Sequence, residues 1–377
     1  MNKKFDSIEY KNSLKNISLK DLQPNIDNWL FFTIIIIFFF GLFSLYSASN
    51  QNPIVIQQQS FRFILSFIAF FIASKINSFH LKKNAKILYV FFIFLLLLVF
   101  FLGHTSMGAT RWLDLYFIKF QPSEFLKLVM PIFMAWIVTK YGEPNNIRKN
   151  LFYISFLIIP FTLILLQPDL GTAIIILMSG LIVIFLAGIP KKYILSLLIL
   201  GFVSIPLIWN FMLHNYQKER ILTLFNPEND PLGTGYHIIQ SKIAIGNGGF
   251  NGLGWLQGTQ SHLSFIPEQT TDFIYAVIAE EFGFLGLLCL LFLYFILIIR
   301  CLYMSYNVKD IFSKLLITSY ITIFSFYVFI NIGMVSGILP VVGVPLPLIS
   351  FGGTSMFTIM ISFGFISGLY KENKIKK

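Results

Sequence analysis

The sequence predicts an all-α integral membrane protein of ten membrane-spanning helices, with one long loop between the seventh and the eighth. Three observations predict it. Hydrophobic residues make up 56% of the 377 residues and charged residues only 12%, where soluble domains carry about 25% charged residues. The 44 Phe bring more apolar surface than a soluble fold hides beneath a charged skin, which excludes a single soluble Rossmann, barrel or sandwich enzyme. Ten apolar runs approach the roughly 20 residues that a helix needs to cross the hydrocarbon core.

In order, the runs are 29–48, 61–76, 87–102, 123–139, 151–166, 170–189, 193–213, 273–299, 311–335 and 347–369. Several are short, so flanking interfacial residues must complete them. Backbone in lipid has to satisfy its own hydrogen bonds, so each is expected as helix. The stretches 34–40 and 91–102 are apolar on every face, which argues against the alternating strands of a β-barrel. The domain reading is a tail at 1–28, a membrane domain at 29–370 containing a loop at 214–271, and a tail at 371–377. The first 28 residues are polar and the run after them is too long for a cleavable leader.

Charge orients the chain. The net charge is +11, and a cytoplasmic N-terminus places most Lys and Arg on inside segments, as inside loops require. Both termini are then cytoplasmic. No nucleic-acid-binding pattern competes for the basic excess, so nucleic acid is not an expected partner. Cys289 and Cys301 stand 12 residues apart on one predicted helix, about 18 Å along its axis, which excludes a bridge between them. Seven basic residues fall in the membrane or on its outer side: Arg62, Arg111, Lys119, Lys127, Lys218, Arg220 and Lys242. Topology does not need them, so they are available to an anionic ligand.

The unusual polar chemistry lies in two outer segments. The first, 103–127, holds RWLDL at 111–115 and leads into QPSEFLKL at 121–128. Glu124 and Lys127 are spaced i, i+3 and so share a helix face. With Asp169, they form an expected buried cluster of net charge −1. Charges at membrane depth need a reason, and two are open: a salt bridge that fixes helix packing, or the floor of a polar cavity.

The second is the loop 214–271, too long to be featureless in a compact protein. Tyr236, Ile239 and Ile243 at i, i+3, i+7 predict a short helix, lying on the membrane surface or packed within the loop. GNGGFNGLG at 246–254 lacks the lysine and the preceding strand of a phosphate loop. Its glycines suit tight turns, with closure over a ligand as the alternative. Asp272 lies where this loop meets the eighth span. It is either a first-turn acid behind a Thr270 or Thr271 cap or a functional carboxylate. Glu280, two turns deeper, is expected on a similar side; Glu280 and Glu281 must both face protein or water. Pro340, Pro345 and Pro347 precede the last span, and Gly352 and Gly353 interrupt it. Helices broken at membrane depth occur beside a cavity or inside protein, as in a transporter or an enzyme with a membrane cleft.

Residues 331–355 read NIGMVSGILPVVGVPLPLISFGGTS. This resembles the signature of the SEDS family, the shape, elongation, division and sporulation proteins. Asn331, the Gly-x-x-Pro ending at Pro340, Gly343, Pro345, Ser350, Gly352 and Gly353 match; Phe351 departs, standing where Tyr, Ser or Ala is usual. QPSEFLKL, QPDLGTA at 167–173 and IPEQTTDFIYAVIAEEFGFLG at 266–286 extend the match over roughly 30–370. GTQSHLSFIPEQTTDF at 258–273 resembles the elongation member more than the division member.

The resemblance implies a peptidoglycan glycosyltransferase of the bacterial cytoplasmic membrane that polymerises lipid II at the outer face. It implies a class B penicillin-binding protein as partner, and elongasome proteins such as MreC and MreD. Asp272 matches the family's essential Asp and is the implied general base of an inverting transfer. The donor is glycan on undecaprenyl pyrophosphate, and the acceptor is the C4 hydroxyl of the GlcNAc of lipid II. The leaving pyrophosphate needs cations, with Arg111, Lys119, Arg220 and Lys242 as candidates, and Lys127 if Glu124 does not neutralise it. A divalent cation could share that task, although no metal motif is present and no other cofactor is expected. An apolar cleft among membrane lipids would hold the isoprenoid tails. The alternatives are a lipid II flippase, the division-type paralogue, or a silent scaffold. If Asp272 is only a cap, the base is sought at Glu268, Glu124 or Asp169.

Overall fold

The computed structural model describes residues 26–375 apart from 107–108, 115–118, 212, 214, 231–232, 264 and 267. Most of the N-terminal tail therefore lies outside the described residues. The long helices are α1 (Asn28–Ala48), α2 (Pro53–Ser74), α3 (Ser78–Leu102), α4 (Pro122–Tyr141), α5 (Ile147–Leu165), α6 (Leu170–Leu186) and α7 (Lys191–Phe211). After the loop come α11 (Ile274–Tyr306), α12 (Ile311–Val335) and α13 (Thr354–Ile375). Within the loop lie α8 (Asn215–Phe225), a short 3-10 turn (Pro227–Asn229), α9 (Thr234–Gly248) and α10 (Thr259–His262).

Ten helices thus stand where ten spans were expected. Eight of them, α1–α5, α7, α11 and α12, are long and apolar enough to cross a membrane. α6 is shorter at 17 residues, and α13 carries Lys371, Glu372 and Lys374 in its last turns. Large apolar side chains such as Phe101, Phe202 and Phe211 are 75%, 76% and 83% exposed, which suits a lipid-facing wall and not a water-facing one.

Local chemistry sets the helix ends. Asn52 accepts a hydrogen bond from the Ile54 amide at 3.0 Å, and Pro53 occupies the first turn of α2, where a missing N–H costs nothing. Asp27 caps α1 through the Leu30 amide at 3.0 Å and takes the Arg300 guanidinium of α11, Nε at 3.0 Å. The α2–α13 seam is built on small residues. A Cβ at Gly364 would lie 2.4 Å from the Phe70 carbonyl oxygen, and one at Gly368 2.3 Å from that of Ser74. Glycine allows such backbone approach where apolar burial alone cannot hold helices together in lipid. α4 is buried along most of its length and forms the bundle's axis.

Three expectations need correction, and a fourth, left open, is decided. The 103–127 segment contains a three-stranded antiparallel sheet, β1 (His104–Ser106), β2 (Ala109–Asp114) and β3 (Lys119–Phe120). Leu113 faces Phe120 in its register. Thr and Trp at 105, 110 and 112 favour strand in a stretch too polar to span. The tenth span starts at Thr354, not 347, because Pro345, Pro347, Gly352 and Gly353 keep the preceding stretch non-helical. It also runs past the expected tail boundary at 371, and Glu372 accepts from the Ser78 amide at 2.8 Å.

Third, the expected loop helix exists as α9, but its buried line is Ile238, Ser241 and Ala244. Tyr236 and Ile239 are half-buried, and Ile243 is 41% exposed. Small residues let α9 approach α12, where the Ser241 hydroxyl donates to the Val335 carbonyl at 2.9 Å, so the loop helix is packed onto the bundle. Fourth, the glycine segment serves tight turns, the first of its two readings, with positive φ at Gly249, Gly252 and Gly254. It laces onto a break in α11 at Gly283, where φ is 63°. The Leu253 and Gly254 amides donate to the Glu280 and Glu281 carbonyls at 3.0 Å each, and the Phe284 amide returns to the Gly249 carbonyl at 3.0 Å. A Cβ at Gly252 would sit 2.1 Å from the Glu281 carbonyl oxygen, which explains the glycine there.

Candidate active site

The site is assembled by the non-helical stretch between α12 and α13. Gly343 has φ +78°, a left-handed conformation that L side chains rarely adopt. Asn331, fully buried near the end of α12, donates through Nδ2 to the Val344 carbonyl at 2.7 Å and to the Asp272 carbonyl at 2.8 Å. Ser350 Oγ donates to the Thr271 carbonyl at 2.5 Å and accepts from the Leu346 amide at 2.8 Å. The Phe351 amide donates to the Thr270 carbonyl at 2.8 Å. Three points of attachment therefore fix the signature stretch to residues 270–272. Gln59 of α2 adds a fourth from the other side, donating to the Ser350 carbonyl at 3.1 Å.

Asp272 is not a helix cap. The N-cap of α11 is Phe273, without a side-chain cap bond, and the Thr271 hydroxyl instead donates to Glu268 Oε2 at 2.9 Å. A Cβ built on Gly343 would lie 3.3 Å from Asp272 Oδ2, so the absence of a side chain there lets the carboxylate approach. Burial pushes the Asp272 carboxyl up to about 6; the nearby Glu268 charge adds to the shift and Arg220 opposes it. Arg220 is anchored by Nη1 on the Val341 carbonyl at 3.1 Å. His237 of α9 stacks on Phe273 at 5.5 Å between ring centroids, and its Nδ1 is buried without a hydrogen-bond partner. Burial holds the His237 imidazole below its ordinary value, against the pull of Glu268 and Asp230.

Gly343 is also a wall of a polar cavity of about 220 Å³. Arg111, Glu124, Lys127, Asp169, Tyr327 and Pro345 line it. Lys127 Nζ pairs with Glu124 Oε1 at 2.6 Å and lies 5.0 Å above the Tyr327 ring. Arg111 Nε reaches Asp169 Oδ2 at 3.0 Å. Asp169 also caps α6, accepting from the Thr172 amide at 3.2 Å and from its hydroxyl at 2.8 Å. The expected three-residue cluster of net charge −1 is therefore a four-residue cluster of net charge zero, because β2 delivers Arg111 to Asp169. Both readings of the charges hold: they are internal ion pairs, and they floor a cavity. Glu124 Oε2 stays buried with no hydrogen-bond partner. A second, smaller cavity of about 30 Å³ adjoins it beside Leu128, Tyr320 and Tyr327, where the Tyr320 hydroxyl donates to the Leu128 carbonyl at 2.9 Å.

The structure thus gathers Arg111, Glu124, Lys127, Asp169, Gly343 and Pro345 in one cavity, with Asp272 at its Gly343 wall and Arg220 within electrostatic reach of Asp272. Lys242 is exposed and lies against Gly337. Pro340, Ser350, Gly352 and Gly353 shape the stretch without lining the cavity. The side chain of Lys119 is outside the described residues. Glu280 does not share the site. It accepts from the Gln260 amide at 2.8 Å and the Ser261 amide at 3.2 Å, holding α10, while Glu281 accepts from the Ser47 hydroxyl. The sequence singled out Asn331 only as part of the signature and did not point to His237 beside Asp272. Asn331 carried a signal, an amide at the end of an apolar span; His237 carried none. The departing Phe351 has a counterpart in Arg62, whose guanidinium lies 4.2 Å above its ring. Among the described residues no three His, Cys, Asp or Glu side chains cluster to hold a metal.

An apolar bundle with a charged cavity at one end, walled by a proline- and glycine-broken stretch, defines a polytopic membrane protein. The chain belongs to the FTSW_RODA_SPOVE family of cell cycle proteins, whose model matches residues 27–375. It is 40% identical over 353 residues to the peptidoglycan glycosyltransferase MrdB of Escherichia coli K12, covering 94% of this chain and 95% of the relative. It is 34% identical to the probable peptidoglycan glycosyltransferase FtsW of Buchnera aphidicola from Schizaphis graminum, over 81% of this chain and 88% of that one. A solved chain described under "Structural coordination of polymerization and crosslinking by a peptidoglycan synthase complex" superposes with TM-score 0.81 at 30% identity, covering 92% of this chain and 98% of that chain. The Rod shape determining protein RodA of Thermus thermophilus superposes with TM-score 0.70 at 25% identity, covering 92% and 97%. The family resemblance of the signature and the helical membrane fold are both borne out.

Proposed function

We propose that the chain is a peptidoglycan glycosyltransferase of the elongation type, polymerising lipid II with Asp272 as general base. The relatives named peptidoglycan glycosyltransferase MrdB in Escherichia coli and Helicobacter pylori, 40% and 38% identical, support the activity and the type; the Buchnera FtsW relative is 34% identical. One observation carries the base assignment. Asp272 is a desolvated carboxylate pushed up to about 6, held at a cavity wall where only glycine lets a substrate and the acid come close. A base must be ionised at working pH yet basic enough to draw a hydroxyl proton, and about 6 meets both.

In the proposed step the C4 hydroxyl of the acceptor gives its proton to the Asp272 carboxylate. Its oxygen bonds to the anomeric carbon from the face opposite the pyrophosphate. The bond from that carbon to the pyrophosphate oxygen breaks, and the α linkage becomes β without a covalent enzyme intermediate. Arg111 and Lys127 each already face an internal acid. Arg220, within electrostatic reach of Asp272, and Lys242, beside Gly337, are the proposed cations for the departing pyrophosphate. A divalent cation would find the Glu268 carboxylate near Asp272 and complete its shell with substrate phosphates and water. Bound there, it would offset charge on the leaving group.

The bias of Lys and Arg supports a topology with both termini cytoplasmic and the site at the outer face. A class B penicillin-binding protein, MreC and MreD are proposed partners; the similarity to a chain of a peptidoglycan synthase complex supports the first. A flippase needs a polar route through the bilayer, and the Leu128, Ile323, Phe324 and Ile359 side chains that line the space beyond Tyr327 favour the enzyme reading. The test is polymerisation of labelled lipid II by the purified chain with a partner whose own glycosyltransferase chemistry is absent or blocked. Wild type makes long glycan, and Asp272→Asn makes none while still binding the partner. Equal glycan from both would remove Asp272 from the base role. No glycan from either would send the work to lipid II transport in vesicles.

A further inference from the structure

The far end of the bundle holds the largest of the described cavities, about 780 Å³, between the ends of α4, α6 and α12. α4 runs from Glu124 at the active-site end to Gly142 here, and α12 runs from Lys314 here back to Asn331 there. The two cavities are therefore roughly 25 Å apart along the helix axes. The far cavity has two kinds of wall. Leu186 and Leu315 line its apolar side; Lys82, Lys309, Lys314, Asp310 and Glu143 line its polar side, for a net charge of +1. Asp310 is fully engaged, accepting Lys82 at 2.9 Å and capping α12 through the Ser313 amide at 3.0 Å. Lys309 and Lys314 are exposed and make no ion pair among the described residues.

The same end carries the marks of a bilayer interface. Lys140 lies 4.8 Å above the Trp136 ring and 5.2 Å above that of Tyr141, and Lys192 lies 5.0 Å above the Tyr193 ring. Aromatic and basic residues gather in this way at headgroup level. A cavity there, apolar within and basic at the rim, is matched by a molecule with an apolar tail and an anionic head.

We infer that this cavity is a binding site for an anionic phospholipid of the surrounding bilayer. The headgroup phosphate sits between the Lys309 and Lys314 ammonium groups, and an acyl chain lies along Leu186 and Leu315. A basic pocket between membrane helices attracts such headgroups, and the volume lies within the range of about 300–1,000 Å³ usual for ligand sites. A zwitterionic lipid fills the apolar part equally well but leaves the rim charge uncompensated. The site is independent of the activity proposed above, because it requires only the bundle and its bilayer.

The test uses the full chain in detergent micelles and follows its Tm as lipid is added. Phosphatidylglycerol and cardiolipin raise Tm saturably; phosphatidylcholine and inorganic phosphate do not. Lys309→Gln with Lys314→Gln weakens the half-saturating concentration by about fivefold per lysine. Lys309→Arg with Lys314→Arg keeps it within a small factor. Lys191→Gln with Lys192→Gln removes the same charge outside the cavity and leaves the lipid response intact. Equal protection by phosphatidylcholine would overturn the headgroup assignment, and equal protection by phosphate would replace the lipid with a soluble anion. Equal loss in the Lys191/Lys192 variant would reduce the effect to general surface charge. Should the Gln pair fail to fold, the Arg pair and the wild-type lipid series still decide the question.

Discussion

The cavity floor and Asp272 meet at Gly343, yet their charges are held in opposite states. On the floor, Lys127 faces Glu124 at 2.6 Å and Arg111 faces Asp169 at 3.0 Å, so each charge is neutralised by a partner in the chain. Asp272 has Arg220 only within electrostatic reach and has Glu268 raising its proton affinity. A buried pair whose charges cancel is a fixed element of packing, because removing either partner strands the other. A desolvated carboxylate left basic is available for proton transfer. Four charged residues thus build the cavity, and the fifth, beside it at Gly343, is the one proposed to act.

The sharpest way to break this comparison is to exchange the consequences. Asp272→Asn is expected to lower lipid II polymerisation by about 100- to 10,000-fold with Tm unchanged or raised, read on the same purified preparation. Lys127→Ala is expected to do the reverse in kind. It leaves Glu124 buried and unpaired at about 3–5 kcal/mol, seen as a large drop in Tm, whereas Glu124→Gln with Lys127→Met recovers most of the loss. If Lys127→Ala kept its Tm and lost only activity, the floor would be catalytic.

Asn331→Leu probes the link between the two regions. It deprives the Asp272 and Val344 carbonyls of their donor, at about 1–3 kcal/mol, and it should lower activity further than the same loss of Tm produced by a core cavity elsewhere. The smallest effect is in pH. Polymerisation should fall about tenfold per pH unit below about 6 as Asp272 takes up its proton. Stability moves the other way. Because the folded-state value is raised, the stabilisation from this group is complete below about 3.9 and is lost as pH rises through about 6. Asp272→Asn should flatten both profiles.

Much of this could be read before any fold was known, for reasons tied to individual residues. Asp272 stood at a loop–span junction in a matching motif, and Glu124 with Lys127 declared their shared face by spacing alone. Arg111 could be listed as a cation but not paired, because its partner Asp169 lies in another helix and β2 carries it there. Glu280 was expected beside Asp272 from helical phase; instead α10 offers it the Gln260 and Ser261 amides at 2.8 and 3.2 Å. The glycines of 246–254 suggested turns, while their reason is the backbone of α11 pressed against Gly252.

The sequence by itself determined the membrane class, the number and order of the long helices and the family signature, and it nominated the candidate base. These rest on hydropathy, charge bias and local motif, which depend on nearby residues. Only the tertiary structure decided which charges neutralise each other, which face of α9 is buried, where the last helix begins and that Gly343 joins Asp272 to the cavity. Those depend on contacts between segments far apart in the chain, where a hydrogen bond from Asn331 or a missing Cβ at Gly343 acts through space and leaves no periodic trace in the sequence.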